Sequence, residues 1–195
     1  MATVLGLGAA IGSRGSHARP TSREAQLILD VPAAYGGRGA WIDRKSWPQL
    51  RRLLERCRED LALFHGTTPR KRPTRLMAGT GPFVEGRRGC FMAGLFDSDG
   101  ELCAVVDVTR SEPDGHEWWL GFILVRPDLR GRGIGGGVVE ALEHWVRAEG
   151  GRAIFVALQR RNRPALHFAR RSGFVLQGEA AESAGKVYLF VKKVA

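Results

Sequence analysis

The sequence predicts a mixed α/β domain: a central sheet that is antiparallel in its first half, one parallel crossover, and helices along its flanks. Three observations lead there. A helical apolar stripe covers residues 46–64, three period-two runs follow one another between tight turns over 90–125, and helix, strand, helix and hairpin patterns then alternate to the end. The order βα, βββ, αβ, αββ contains one crossover and no serial βαβ repeat.

Residues 1–24 are rich in Gly, Ala, Ser and Arg without periodicity and read as a flexible tail, which leaves 25–195 as a single domain. Gln26–Val31 is a short β-like run, stopped by Pro32 and the flexible stretch Gly36–Gly39. Leu50, Leu53, Leu54, Cys57, Leu61 and Phe64 then fall on one face of a predicted helix, with Ser46 as its cap and Pro48 in its first turn. Residues 69–75 (Pro-Arg-Lys-Arg-Pro-Thr-Arg) form a basic, proline-punctuated loop.

The period then drops to two. Phe91–Phe96 and Leu102–Thr109 flank the turn Asp97-Ser98-Asp99-Gly100, and Pro113-Asp114-Gly115 precedes the strand Trp118–Val125, giving an antiparallel meander. A helix from about Gly133 to Glu149 places Val138, Val139, Leu142, Trp145 and Val146 on one face. The strand Ala153–Leu158 and a helix over about 164–172, ended by Gly173, come next. Phe174–Gly178 and Lys186–Val194 close the chain as a hairpin, whose outer edge Lys186–Val194 offers a surface for a homodimer.

Composition bounds the function. With 195 residues, 44% apolar and 26% charged, the chain makes one domain that buries roughly 70% of its unfolded surface. The longest apolar stretch, Trp118–Val125, has eight residues. A membrane span needs about 20, which excludes one. In the small, apolar first twelve residues the positive charges (Arg14, Arg19) follow the stretch, the reverse of a secretory leader. Cys57, Cys90 and Cys103 are odd in number and lack metal-ligand spacing, so they read as free thiols in a reducing cytoplasm, with no metal site. The net charge of +10 comes from 25 arginines and only five lysines against 20 acids. That bias reflects either a GC-rich coding sequence or a polyanionic partner: nucleic acid, an acidic protein, or a phosphate-bearing cofactor.

The segment Arg126-Pro127-Asp128-Leu129-Arg130-Gly131-Arg132-Gly133-Ile134-Gly135-Gly136-Gly137 leaves an apolar strand and opens an amphipathic helix. Five glycines in the seven residues from Gly131 weaken a helix start, so they need another reason to be there. The first backbone N–H groups of a helix have no intrahelical partner and carry the positive end of its dipole. Glycines let an anion approach those groups, and Arg130 and Arg132 add charge. A phosphate or diphosphate is the expected ligand. Gly131-x-Gly133-x-x-Gly136 also matches the dinucleotide fingerprint in form, but it follows hairpins instead of opening a βαβ series. No Gly-Lys-Ser/Thr is present to make a nucleotide-binding P-loop.

Arg130-x-x-Gly133-x-Gly135 after a strand, followed about 30 residues later by Asn162-x-x-Ala165 and Gly173-Phe174, resembles the GCN5-related N-acetyltransferases, firmly over residues 90–195. The resemblance implies transfer of an acetyl group from acetyl-CoA to a primary amine through a ternary complex, since no cysteine falls in either motif. It implies that backbone groups of Leu124, Val125 and Arg126 hold the pantetheine arm. Arg130, Gly131, Arg132, Gly133, Ile134, Gly135 and Gly136 would bind the diphosphate, and Asn162, Ala165 and Phe168 would flank the pantetheine and thiol end. The cluster Arg160, Arg161, Arg163, Arg170 and Arg171 is either a solvated face or an attractor for the cofactor's phosphates.

An acceptor amine with a pKa near 10.4 must lose a proton before it attacks, so a general base has to face the thioester. In some relatives the base lies at the position of Trp119. Strict alternation puts Glu117, Trp119, Gly121 and Ile123 on one face, so Glu117, roughly 7 Å further from the loop, is one candidate base through a water relay or a shifted bulge. Asp107, on the neighbouring strand, is the other; its alternative is an acid paired to Arg110 or to solvent. The resemblance assigns the oxyanion donor to a backbone N–H near Val125. Where relatives carry a tyrosine as acid, this chain has Ala169. Ser172 lies roughly on the same helical face, and His167 is expected to point elsewhere. Trp118, Trp119 and Trp145 are expected to pack in the core, the alternative for Trp119 being an aromatic wall for the substrate. An acyl-CoA-binding regulatory module with little turnover and a basic nucleic-acid-binding protein are the alternative readings.

Overall fold

Seven strands carry the period-two pattern into one mixed sheet of order β1-β2-β3-β4-β5-β7-β6. The computed structural model of the chain describes residues 37–43, 45–65, 90–111, 115–182 and 185–194; the tail 1–24, the run Gln26–Val31 and the basic loop 69–75 lie outside them. β1 (Arg38–Trp41), β2 (Cys90–Phe96), β3 (Leu102–Arg110) and β4 (Glu117–Val125) pair antiparallel in sequence. After the crossover come β5 (Ala153–Gln159), parallel to β4, then β6 (Val175–Glu182) and β7 (Gly185–Lys193). The expected meander, crossover and closing hairpin are all present.

Four expectations are corrected. Part of the glycine-rich stretch expected to be flexible is β1, whose Arg38–Trp41 pairs with Ala93–Phe96: pairing with β2 overrides a weak local propensity. The single helix is two, α1 (Trp47–Arg56) and α2 (Arg58–His65), broken at Cys57. Both halves still send their stripe to one core, so periodicity alone does not reveal the break. Ser46 precedes α1 and Pro48 sits in its first turn, but the Ser46 hydroxyl donates to Asp43 instead of capping the helix. Finally, β7 lies between β5 and β6, so Lys186–Val194 is not an edge; β6 is.

α3 (Ile134–Ala148) and α4 (Arg163–Arg171) pack on one face of the sheet. Val138, Leu142 and Trp145 of α3 and Ala165 and Ala169 of α4 meet Val106, Val108, Leu120, Ile154, Val156 and Phe190 there. The other face receives α1 and α2, where Leu50, Leu53, Leu54, Cys57 and Leu61 cover Met92, Val105, Phe122 and Leu124. Trp118 and Trp145 stack edge-on at 4.7 Å and join Trp41 and Phe91 in an aromatic cluster under α3. Two of the three tryptophans expected in the core are therefore there; Trp119 is half-buried on the opposite side.

The turn between β2 and β3 is anchored by Asp97. It accepts the backbone N–H of Glu101 at 2.9 Å and pairs with the Arg126 guanidinium at 3.4 Å. Burial works to raise its pKa, but the N–H of Glu101, the Cys103 thiol and Arg126 outweigh it and hold the carboxyl below its ordinary value. A group with a depressed folded pKa adds stability above its unfolded pKa and loses it as the pH falls through the folded one. Asp97→Asn is therefore expected to be less stable than the parent at pH 7 in urea unfolding. The difference should shrink below about pH 4, the ordinary aspartate value.

Candidate functional site

The glycine segment folds as its composition requires. The Arg126 N–H donates to the Cys103 carbonyl at 2.8 Å, a 3-10 turn follows over Pro127–Leu129, and Gly133 begins α3 with a left-handed φ of +86°. The first intrahelical bond runs from Gly137 N–H to Gly133 C=O at 3.0 Å. The N–H groups of Ile134, Gly135 and Gly136 thus precede the helical ladder and sit at the positive end of the dipole. They border a cavity of about 290 Å³ whose walls include Ile123, Val125 and Leu129 on one side and His167, Phe168, Arg171 and Ser172 of α4 on the other. Gly135 has a packing reason to lack a side chain, because a Cβ there would stand 3.1 and 3.3 Å from Phe168 ring carbons.

The sheet opens beside this cavity. β4 and β5 pair only at Glu117–Trp119 against Ala153–Phe155, and from Leu120 onward the two strands share no ladder. Because Arg126 donates to Cys103, two-residue alternation sends the backbone groups of Leu124 toward β3 as well, and those of Ile123 and Val125 away from it. Of the three residues expected to offer backbone groups, only Val125 turns them away from β3, as Ile123 does, and its carbonyl accepts from Arg130.

Arg130 lines the cavity, yet its guanidinium is committed elsewhere. It donates to Asp60 of α2 at 2.6 Å, to the Val125 carbonyl at 3.1 Å and to the Cys57 sulfur at 3.5 Å. Only 19% of the Arg130 side chain and 15% of that of Asp60 are exposed, so the pair is largely desolvated. Removing one partner strands a charge, which is costly. Arg130→Ala is expected to destabilise the fold by about 2 kcal/mol or more in chemical denaturation. Arg130→Lys should recover little of it, because a single ammonium cannot replace the two-nitrogen fork.

Asn162 is 2% exposed and caps α4, its Oδ1 accepting from the Ala165 N–H at 3.2 Å. Ala165 and Ala169 lie in the core, so of Asn162, Ala165 and Phe168 only Phe168 reaches the cavity. The expectation for His167 is corrected: it lines the cavity, as do Arg171 one turn on and Ser172. Arg163, His167, Arg170 and Arg171 are all exposed, at i, i+4, i+7 and i+8, a basic face that was readable in the sequence. Asp60 carried no such signal.

A bulge redirects β4. Phe122 pairs with Asp107 but Leu120 pairs with Val108, which leaves Gly121 as the extra residue. The strict alternation expected from Glu117 to Ile123 fails here: Trp118 and Leu120 face α3, and after the bulge Ile123 and Val125 do. Glu117 and Trp119 lie on the α1–α2 side, together with Phe122 and Leu124. Asp107, 5% exposed, lies on that same side between Val106 and Val108, which face α3; a Cβ on Gly121 would collide with its Oδ2. Arg110 falls on the opposite face of β3, beside Gly115, so the alternative of an Asp107–Arg110 pair does not form. Glu117 is exposed, and His116 bonds the Gly150 carbonyl at 2.9 Å.

Burial pushes the Cys57 thiol up to about 11, although Arg130 pulls the other way, and burial with the charge of Asp97 does the same for Cys103. Both thiols are protonated at neutral pH and are poor nucleophiles. Among the described residues no group of acids, histidines and cysteines is placed to hold a metal, and no helix is long and apolar enough to cross a membrane.

A mixed sheet that parts beside a glycine-opened helix start is the architecture of a known family. The model of the acetyltransferase (GNAT) family matches residues 47–174, and the chain belongs to that family. No curated protein matches the chain by sequence. Its fold is similar to an acetyl transferase from Salmonella typhimurium that modifies the N-terminal serine of 50S ribosomal subunit protein L7/L12, with 19% identity, 85% of this chain and 99% of that chain covered, and a TM-score of 0.70. A GNAT-family acetyltransferase from Streptococcus pneumoniae aligns with 19% identity over 82% and 99% of the two chains, TM-score 0.62. The ribosomal-protein-S5-alanine acetyltransferase from Vibrio fischeri aligns with 18% identity over 82% and 93%, TM-score 0.61. At these identities the likeness is one of fold.

Proposed function

We propose that this chain transfers the acetyl group of acetyl-CoA directly to a primary amine. The single observation that carries the reading is the α3 N-terminus. Three N–H groups outside the helical ladder border a cavity that continues along the unpaired edge of β4, a shape and polarity suited to a diphosphate followed by an extended amide-bearing arm. Ile134, Gly135 and Gly136 hold the diphosphate through backbone N–H groups, with Gly131, Arg132 and Gly133 shaping the loop. Ile123 offers strand-like hydrogen bonds to the arm and Val125 its N–H alone, because the Val125 carbonyl accepts from Arg130, and Phe168 packs beside the arm. Arg126 and Arg130 act by fixing the loop, through Asp97 and Asp60.

Acetyl-CoA supplies the acyl group on a thioester: the amine nitrogen bonds the carbonyl carbon, the carbon–sulfur bond breaks, and the thiolate leaves with the electron pair. Asp107 takes the proton that makes the amine nucleophilic. It is favoured over Glu117 because it adjoins the Gly121 bulge, just past the point where β4 and β5 separate. Glu117 lies four residues earlier, about 13 Å along the strand. A backbone N–H of the opened β4 edge, near Val125, steadies the oxyanion. Ala169 is buried, so the departing thiolate, of pKa about 8.5, takes its proton from water.

The reading is tested by titrating acetyl-CoA into the protein calorimetrically and assaying thiol release with amines. Micromolar binding that Gly133→Glu abolishes, with amine-dependent thiol release, supports it. Binding without release on any amine points to an acyl-CoA-binding module, and absence of binding overturns the cofactor assignment.

A further inference from the structure

Among the described residues one aromatic pair lies outside both cores of the fold. Trp119 and Phe155 are register partners across the short β4–β5 junction, and their rings stack at 5.2 Å with 27° between planes. Their chain neighbours Trp118, Leu120, Ile154 and Val156 are all buried against α3, so both rings project from the opposite face. They stay half-buried, and among the described residues neither belongs to the α1–α2 core. Two large rings at the last paired rung of a parting sheet forgo burial that would otherwise stabilise the fold.

Their position gives them a use. The cavity lies on the α3–α4 face, bounded by Ile123, Val125 and Phe168, so an acyl group held there meets the other face only where the strands no longer pair. An acceptor therefore arrives from the α1–α2 side. There it meets Trp119 and Phe155 first, flanked by Glu117 on the same face and by Asp107 beside Gly121. Aromatic faces with carboxylates at their margin attract an ammonium and a flat or apolar body attached to it. Although the whole chain carries +10, two acids, Glu117 and Asp107, flank the rings here; Lys193, the register partner of Ala153, shares their face.

Resting on the acetyltransferase reading, we infer that the acceptor is a hydrophobic primary amine, an ammonium on a short spacer from an aromatic or branched apolar group, which packs on Trp119 and Phe155. Hydroxyl-rich aminosugars and linear polyamines lack the body that these rings would cover.

The test compares thiol release with 2-phenylethylamine, isopentylamine, glucosamine and spermidine at saturating acetyl-CoA. The expected order places the first two at least about tenfold above the others in kcat/KM, the size of one aromatic contact. Trp119→Ala should raise KM for 2-phenylethylamine about tenfold and leave the Kd for acetyl-CoA unchanged, which also shows that the variant is folded. Trp119→Phe should restore most of the loss, and Phe155→Ala should repeat it. Equal rates across the panel, a preference for glucosamine or spermidine, or an unchanged KM in both alanine variants overturns the inference. Acetyl-CoA binding with no turnover of either hydrophobic amine overturns this inference alone, whereas absence of acetyl-CoA binding overturns the reading beneath it.

Discussion

Asp107→Asn is expected to lower kcat about 100-fold or more while leaving the Kd for acetyl-CoA within about twofold. The substitution keeps shape and hydrogen-bonding atoms but removes the ability to accept a proton, and general-base contributions run from about 10² to 10⁴. Asp107 is 5% exposed and lies against Gly121, so an isosteric change leaves the bulge in place, whereas Gly121→Ala would force its Cβ into the carboxylate. Glu117→Gln supplies the contrast. Because Glu117 is exposed and precedes the opening, its kcat should fall by less than about threefold. Steady-state rates by thiol release, with calorimetric Kd values alongside, separate the two. A normal rate in Asp107→Asn with a collapsed rate in Glu117→Gln would move the base to Glu117.

Gly135→Val should raise the Kd for acetyl-CoA by about 100-fold or more. Its Cβ meets the Phe168 ring at 3.1 Å, so either the ring or the first turn of α3 must shift, and the branched side chain shields the N–H groups an anion needs. Gly136→Ala is the informative partner. A Cβ there meets nothing within 4 Å, and alanine is the better helix former by up to about 1 kcal/mol. That variant should melt at or above the parent temperature and still bind acetyl-CoA more weakly. Thermal melts and titrations on the pair show whether the glycines serve packing or ligand approach. A parental Kd in both would remove the first turn of α3 from the binding site.

The parts legible in the sequence are those with local signatures. Glycines clustered at a helix start announced the opened N-terminus that borders the cavity because they contradict helix propensity, and that contradiction needs no tertiary knowledge to notice. The β2–β3–β4 meander was legible for a similar reason, since Asp97–Gly100 punctuates two alternating runs. What escaped depends on distance. The bond between Arg130 and Asp60 joins residues 70 apart, and nothing in Arg-x-x-Gly-x-Gly states that its arginine serves a helix on the opposite face. The bulge at Gly121 escaped for a subtler cause: one extra residue reverses every later side chain on β4, and a glycine within an apolar run carries no face of its own to betray it. The insertion of β7 between β5 and β6 is a topological choice that a hairpin pattern leaves open.

The three-residue contact between β4 and β5 divides the sheet into two blades. One holds β1 to β4, the other β5, β7 and β6, and α3 is the covalent strap between them. Mechanically this is a book with a short spine, stiff in each cover and weakest at Trp118–Ile154 and its neighbours. A ligand that bonds to the β4 edge and also touches α4 grips both covers at once, and so resists their opening by the same contacts that hold it. By mass action such a ligand at 100 times its Kd adds about 2.7 kcal/mol to the folded state. On the proposed function the acyl donor would double as a clasp for the fold, and the melting temperature of this protein would gauge how much donor surrounds it.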